Sequence, residues 1–213
     1  MSLLQYLGDH WSQILSVSWW HLELSLMSVG LALAIGLPLG ILCYSSRVAA
    51  AIVLNAVSVI YTIPTLALFG LMIPLIGIGI VPAVVAVLLY SLLPVVQNTY
   101  TGLATLDPNL REVAAGIGMG WASRLFRVEL PLALPVIFAG VRVSVVNAIG
   151  MVTLASLIAA GGLGDVIFRG ISIMSWNMIV SGSVPVLVLA LVADGLLKLA
   201  ERNLGGRWAA VAP

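Results

Sequence analysis

Long, almost uninterrupted runs of apolar residues constrain the fold of this chain more than any other feature of its sequence. A helix needs about 20 apolar residues to cross a bilayer, and such runs cover roughly residues 22–43, 51–76, 81–103, 134–160 and 178–199. A surface helix of a soluble protein is apolar along one stripe only, whereas these runs are apolar on nearly every side. We therefore predict an all-α, polytopic membrane protein with five transmembrane helices.

The composition leaves little of the chain for anything other than the membrane. Of the 213 residues, 62% are hydrophobic and 8% are charged, against about 25% charged residues in soluble domains. Five spans with short connections use most of this length, so residues 1–213 are expected to form a single transmembrane domain. The nine Lys and Arg residues are scattered, and we expect no binding of nucleic acid.

Residues that carry enzymatic or metal chemistry are few and dispersed. His10 and His21 stand apart from any group of Cys, Asp or Glu, and Cys43 is the single cysteine. The glycine-rich segment 161–164 lacks the Lys-Ser/Thr that completes a phosphate-binding loop, so we interpret it as a turn. We expect no catalytic residue, no metal and no cofactor, and no hydrolysis of ATP by this chain alone.

Positive charge is distributed unevenly between the predicted loops. Cytoplasmic loops are enriched in Lys and Arg, and an outer amino terminus leaves only Arg169 outside while it places seven positive residues inside: Arg47, Arg111, Arg124, Arg127, Lys198, Arg202 and Arg207. We predict an outer amino terminus, a cytoplasmic carboxy terminus and a cytoplasmic loop at 104–132. Residues 1–20 contain several Trp, which favour the membrane–water boundary, so this segment is expected to lie along one face.

The loop at 104–132 begins with the pattern of a short amphipathic helix. Asp107 followed by Pro108 is typical of a helix start, with Asp as the cap and Pro in the first turn. The apolar residues that follow share one helical face, from which Glu112 points away: Leu110, Val113, Ala114 and Ile117.

Glycines separate this helix from a second one. Gly116, Gly118 and Gly120 end the first helix and permit a sharp turn. The second helix has apolar residues along one side, and Leu130–Pro131 is expected to stop it. Two short helices that meet at a glycine elbow form a rigid projection from the membrane surface, which is suited to docking into a groove on a partner.

The spacing of the loop resembles the signature of ABC importer permeases. That signature reads Glu-Ala-Ala, three residues, Gly, nine residues, then Ile-x-Leu-Pro. Here the matching positions include two conservative departures, Val113 for Ala and Val128 for Ile. The resemblance implies that the residues which couple the permease to its ATPase are Glu112, Ala114, Gly118, Leu130 and Pro131.

Other segments resemble the osmoprotectant branch of this family, whose members import glycine betaine, choline, carnitine and similar quaternary ammonium compounds. They are 37–40, 61–64, 93–102, 135–142 and 159–164, and the likeness extends over roughly residues 20–200. The resemblance implies a type I importer of the bacterial inner membrane. Its parts are two permeases, identical or related, two cytoplasmic ATP-binding subunits and an extracytoplasmic substrate-binding protein.

Four residues within the spans are candidates for the substrate pathway. Tyr61 and Tyr90 could hold a quaternary ammonium group by cation–π attraction, although helix packing with a satisfied hydroxyl is the alternative. Asn147 could line the pathway or join helices. Arg142 could line the pore, snorkel to the interface, or pair locally, with Glu129 as the nearby candidate.

Two further function classes remain open from the residues alone. An ABC permease for another small polar solute fits the same pattern. A secondary transporter or channel would need ion-coupling groups within its spans, and Arg142 is the only charge that the sequence places away from the span ends. The chain also contains no internal repeat of the kind found in many secondary transporters, so its five spans resemble half of a pore.

Overall fold

The computed structural model describes residues 3–208, and this range contains helices and turns without a strand. The helices are α1 (Leu3–Ser45), α2 (Arg47–Thr62), α3 (Thr65–Ile76), α4 (Ile80–Ala104), α5 (Pro108–Gly116), α6 (Trp121–Arg124), α7 (Leu130–Ala155), α8 (Leu163–Ser172) and α9 (Trp176–Trp208). A π-helical turn, Leu125–Glu129, joins α6 to α7, and a 3₁₀ turn, Ser156–Ile158, follows α7. The all-α prediction is confirmed.

The first span is longer than the apolar pattern predicted. α1 continues without a break from Leu3 through the predicted span 22–43 to Ser45. The prediction that residues 1–20 lie along one membrane face, separate from the span, is therefore wrong for the described residues. Residues 3–20 contain no proline, and their one glycine, Gly8, costs a helix only about 1 kcal/mol. The helix therefore extends beyond the predicted span toward the amino terminus.

Pro64 lies inside the second predicted span, 51–76, where a proline predicts a kinked helix. The structure has two separate helices here instead. α2 and α3 meet at Pro64 with a bend of 99°. Pro64 has no N–H to donate to the preceding turn, and it pushes the residue before it out of the α conformation. Ile63 accordingly has extended backbone angles, with φ −67° and ψ 126°.

Contacts at the ends of the helices indicate that α2 and α3 together still cross the bundle. At one end, the Tyr44 hydroxyl of α1 donates to the Glu129 carboxylate before α7 at 2.8 Å, and α2 begins directly after α1. At the opposite end of α7, the carbonyl of Ile158 accepts a bond of 2.7 Å from the N–H of Gly79, just before α4. The chain between these two ends traverses the bundle, and with α1, α4, α7 and α9 it makes five crossings within the described residues.

The centre of the bundle depends on close helix approach at glycines. A Cβ at Gly40 of α1 would lie 2.5 Å from Cβ of Thr99 on α4, and one at Gly140 of α7 would lie 2.6 Å from Cβ of Asn98. Small residues permit such contacts in membranes, where van der Waals packing is a main source of helix association. α4 is consequently enclosed between α1 and α7, and its residues form much of the buried core.

The far end of the bundle is fastened by two polar side chains of α1. His21, which is fully buried, lies 2.8 Å from the carbonyl of Ile149 through Nε2 and accepts the N–H of Leu163 through Nδ1 at 3.2 Å. Trp20 Nε1 donates to the carbonyl of Ala160 at 3.1 Å. These bonds hold the turn at 161–162 and the start of α8, so the turn predicted over 161–164 is confined to its first two residues.

The bent pair provides a direct test of the five crossings. Ser45 and Ile78 are exposed and flank the pair on either side. In a Cys43→Ser background, single cysteines at these two positions should be labelled from opposite sides of the membrane by an impermeant thiol reagent on intact spheroplasts. A cysteine at exposed Asn109 serves as the control and should match position 45. Labelling of positions 45 and 78 from the same side would make α2–α3 a re-entrant loop.

Candidate functional site

The loop between α4 and α7 starts with the helix that its sequence predicted. The side chain of Asp107 caps α5 and accepts the N–H of Asn109 at 2.9 Å, and Pro108 occupies the first turn. The cap satisfies a backbone donor that no helical carbonyl can reach. α5 therefore has a fixed start, and only three residues separate it from the end of α4.

The elbow after α5 turns at one glycine. Gly118 has φ +82° and its N–H donates to the carbonyl of Ala115 at 2.9 Å, while the N–H of Met119 donates to the carbonyl of Ala114 at 3.0 Å. A side chain at this positive φ would strain the backbone. Of the three glycines predicted to form the elbow, Gly118 is the one whose conformation requires glycine.

The apolar face of α5 is directed away from the bundle over most of its length. Ala114, 4% exposed, is the residue of that face which packs inward. Ile117 is 74% exposed, and four further apolar side chains of the loop are exposed with it: Leu110, Val113, Trp121 and Phe126. Glu112 is also exposed and has no ion-pair partner among the described residues. An exposed apolar patch at the end of a bundle marks a surface for a partner.

The connection from α6 to α7 corrects a prediction. Leu130–Pro131 does not stop the second loop helix, because α6 continues through the π-helical turn into α7. The N–H of Leu130 donates to the carbonyl of Leu125, five residues back. A proline ring clashes with the carbonyl four residues before it in an α-helix, and the wider π turn relieves that clash at Pro131. The loop is thus continuous with a transmembrane helix.

A buried carboxylate fixes the base of the loop. Glu129 is 1% exposed, and its Oε1 accepts the Tyr44 hydroxyl at 2.8 Å and lies 3.1 Å from Nε of Arg124 and 3.6 Å from Nε of Arg111. The guanidinium of Arg111 also lies 5.0 Å from the centre of the Tyr44 ring and donates to the carbonyl of Leu103 at 3.3 Å. We call these four side chains, Glu129, Arg124, Arg111 and Tyr44, the anchor cluster. It joins α1, α5, α6 and the start of α7.

Arg142 has a partner that the sequence did not indicate. The prediction of a local pair with Glu129 is wrong, since Arg142 forms a two-point ion pair with Asp194 of α9, in which Nη2 and Oδ2 are 3.2 Å apart. Glu201 lies 3.9 Å from its Nη1. Asp194 is an acidic residue inside α9, so Arg142 is not the only charge away from the helix ends. The pair neutralises both charges where an unpaired charge would be costly.

Three of the four predicted pathway residues come together. Tyr61, Tyr90 and Asn147 line one open cavity of about 370 Å³ between α2, α3, α4 and α7, together with Thr65, Val146, Gly150 and Met151. The ring centres of Tyr61 and Tyr90 are 5.4 Å apart. Arg142 does not line this cavity and faces α9.

The family model described as binding-protein-dependent transport system inner membrane component matches residues 36–206. The chain belongs to this family. It is 48% identical over 202 residues to the osmoprotectant import permease protein OsmW of Salmonella typhimurium, with 92% of this chain and 94% of that protein covered. It is 43% identical over 202 residues to the choline transport system permease protein OpuBB of Bacillus subtilis, with 95% and 93% covered.

The permease also has the fold of solved importers. A crystal structure of an amino acid ABC transporter with histidines matches with a TM-score of 0.79 at 20% identity, covering 95% of this chain and 99% of that one. At this level of identity the likeness concerns the fold alone. The permease is accordingly a multi-pass inner-membrane protein with a type I importer fold, as the loop signature implied.

The anchor cluster is the part of the permease loop that sequence reasoning missed. Glu129 occupies the variable position of Ile-x-Leu-Pro, so the signature gives it no weight. A signal was nevertheless present, because Glu129 is an acidic residue between the apolar residues Val128 and Leu130 and shares the loop with Arg111 and Arg124. A carboxylate in such a position is stable only when cations pair with it.

Loss of the Glu129 charge should loosen the permease loop. Glu129→Gln keeps the shape but leaves Arg111 and Arg124 without their counter-ion, so we expect a loss of about 1.5–3 kcal/mol in stability. The midpoint temperature of thermal unfolding of the purified permease in detergent should fall, and amide hydrogen exchange in residues 108–124 should become faster. Arg127→Gln, at an exposed cation of the same loop, is the control and should change neither. Wild-type values for Glu129→Gln would show that the cluster does not hold the loop.

Proposed function

We propose that the chain is the permease subunit of an ATP-driven uptake system for quaternary ammonium osmoprotectants such as glycine betaine, choline and carnitine. The observation that carries this proposal is identity of 43–48%, over more than nine-tenths of each chain, with permeases named for osmoprotectant import and choline transport. The five-helix bundle would form one half of the translocation pathway. ATP hydrolysis belongs to a separate partner in this proposal.

The exposed apolar patch of the loop supports a docking role. Leu110, Val113 and Ile117 would insert into a groove on a cytoplasmic ATP-binding subunit, and burial of such side chains contributes about 25 cal/mol per Å². Ala114 faces the bundle and permits close packing of α5, while Gly118 sets the angle of the elbow. Leu130 and Pro131 belong to the continuous passage from the loop into α7.

Charge supports the orientation of the bundle. The end that carries the loop also carries Arg47, Arg111, Arg124 and Arg127, and Lys/Arg enrichment is typical of the cytoplasmic side. The amino terminus of α1 would then lie outside and the carboxy terminus inside. In the labelling experiment, position 78 is the one that the reagent should reach in intact spheroplasts.

The remaining partners follow from the family and from the open cavity. A family named for dependence on a binding protein implies an extracytoplasmic subunit that delivers the ligand at the outer end. The cavity around Tyr61 opens at the side of the bundle, so a second permease, identical or related, would close the pathway. Movement of the ATP-binding subunits would be transmitted through the loop to the helices. The helices would then open the pathway alternately to the two sides of the membrane.

The substrate class is tested by uptake. In a strain without other osmolyte uptake systems, deletion of the gene that encodes this chain should abolish uptake of radiolabelled glycine betaine, choline or carnitine at high osmolarity. Expression of the chain together with its partners should restore it. Unchanged uptake of all three compounds in the deletion strain would refute the osmoprotectant assignment and leave family membership intact.

Glu112 provides the test of coupling. Its exposed carboxylate can meet a cation of the ATP-binding subunit, and loss of one partner of such an interface pair costs about 2–5 kcal/mol. Glu112→Ala should insert normally yet retain less ATPase on purification and transport more slowly. Gly118→Val should act in the same direction by straining the elbow.

Asp9→Ala is the matched control, because Asp9 is an exposed carboxylate at the other end of the bundle. A solvated surface Glu would cost under about 0.5 kcal/mol on truncation. If Glu112→Ala keeps its full complement of ATPase and wild-type substrate-stimulated hydrolysis, Glu112 does not contribute to the coupling contact.

A further inference from the structure

One side of the bundle carries exposed polar side chains, whereas the exposed face of α9 is largely apolar. Gln97 and Thr101 of α4 and Asn147 of α7 are exposed on this side, next to Tyr61. The exposed side chains of α9 between residues 184 and 199, in contrast, are apolar except for Lys198: Val184, Leu187, Val188, Leu191, Val192, Leu196 and Leu199. Amide and hydroxyl groups are costly in hydrocarbon. The polar side therefore faces water or another protein, and α9 faces lipid.

Two cavities lie next to each other on this polar side and share one residue. The first, of about 370 Å³, contains Tyr61, Tyr90 and Asn147. The second, of about 390 Å³, is lined by Tyr61 with Leu93, Pro94, Gln97, Asn98 and Thr101, which follow α4 toward the loop end. Tyr61 is thus positioned between a more distant chamber and a chamber nearer the loop.

The two tyrosines form an aromatic corner with unused hydrogen-bonding capacity. Tyr61 is 39% exposed toward the cavity, and the Tyr90 ring behind it, 8% exposed, is tilted by 51° with the centres 5.4 Å apart. The Tyr90 hydroxyl is buried and has no hydrogen-bond partner among the described residues. The Asn147 amide donates only a long bond, 3.5 Å, to the Tyr61 hydroxyl.

We infer that the aromatic corner of Tyr61 and Tyr90, with Asn147 beside it, is a transit site for the quaternary ammonium group of the substrate within the membrane. This inference rests on the proposed function and adds a site to it. The permease itself, and not only its binding protein, then recognises the charged end of the ligand. Arg142 has no part in the site, because Asp194 engages it elsewhere.

The chemistry of the lining fits this class of ligand and disfavours others. A quaternary ammonium ion cannot donate hydrogen bonds, and the faces of aromatic rings attract it. The described lining residues of both cavities carry no formal charge, so a permanently bound anion or a metal ion has no counter-charge here. The exposed amide of Asn147 can meet the hydroxyl or carboxylate at the other end of choline, carnitine or betaine. Weak attraction of this kind suits a site that must release its ligand.

Binding to the assembled complex tests the site. Permease and ATP-binding subunits in nanodiscs, without binding protein, should bind the radiolabelled substrate saturably. Tetramethylammonium should compete, and 3,3-dimethyl-1-butanol, which has a similar shape without the charge, should not. Tyr61→Leu should raise the Kd about 3- to 30-fold, the range of a cation–π contact, whereas Tyr61→Phe, which keeps the aromatic face, should remain close to wild type.

Controls separate the site from folding and from the transport assignment. Trp19→Leu removes an exposed ring of α1 outside the cavities and should leave the Kd unchanged, and each variant should retain its ATPase. The site is refuted, and the proposed function is not, if the complete system takes up glycine betaine, choline or carnitine and one of three results is seen. Tyr61→Leu binds like wild type, the uncharged alcohol competes equally, or the complex without binding protein binds nothing. If the complete wild-type system transports none of the three, the proposed function fails and the site with it.

Discussion

A single buried carboxylate determines how the loop of this permease is attached to its membrane helices. Glu129 is shielded from water, so its charge is tolerable only because Arg111, Arg124 and the Tyr44 hydroxyl surround it. These partners come from α1, α5 and α6, while Glu129 itself begins the passage into α7. Removal of Glu129 leaves two cations and a hydroxyl donor without their shared partner, which makes the arrangement specific as well as cohesive. The exposed apolar patch of α5 is therefore attached to the bundle at a defined angle.

The same helix that begins at this cluster also forms part of the polar side of the bundle. α7 contains Asn147 in its central part, next to the aromatic corner, and it packs on α4 through Gly140. Because π-helical and α-helical turns connect α6 to α7 without a flexible break, displacement of the loop would be carried along α7 to the cavity. The exposed apolar patch, the anchor cluster and the aromatic corner thus lie along one connection, from the loop through α7. The Arg142–Asp194 pair attaches α9 to α7.

Features encoded in local sequence were predictable, and features that depend on distant partners were not. Apolar runs gave the helices of the bundle, Asp107–Pro108 gave the start of α5, and Gly118 gave the elbow, since each follows from propensity or backbone geometry. Pro64 explains why the second span is interrupted, but the size of the 99° bend does not follow from its local sequence. The burial of Glu129 and the pairing of Arg142 with Asp194 join residues far apart in the chain. The apolar neighbours of Glu129 indicate burial, but no local pattern identifies the distant partners of Glu129 or of Arg142.

Rigid attachment of the loop to α7 is the central claim, and a distance measurement within the assembled transporter tests it most directly. Ile117 on the loop and Val143 on α7 are both exposed. Spin labels at these two positions report the distance between the exposed apolar patch and α7. Rigid coupling predicts that this distance stays the same with and without trapped ATP, while the distance between Val143 and its counterpart in the proposed second permease changes. A shift of the Ile117–Val143 distance by about 5 Å, one helical turn, with no change between the two permeases, would contradict it.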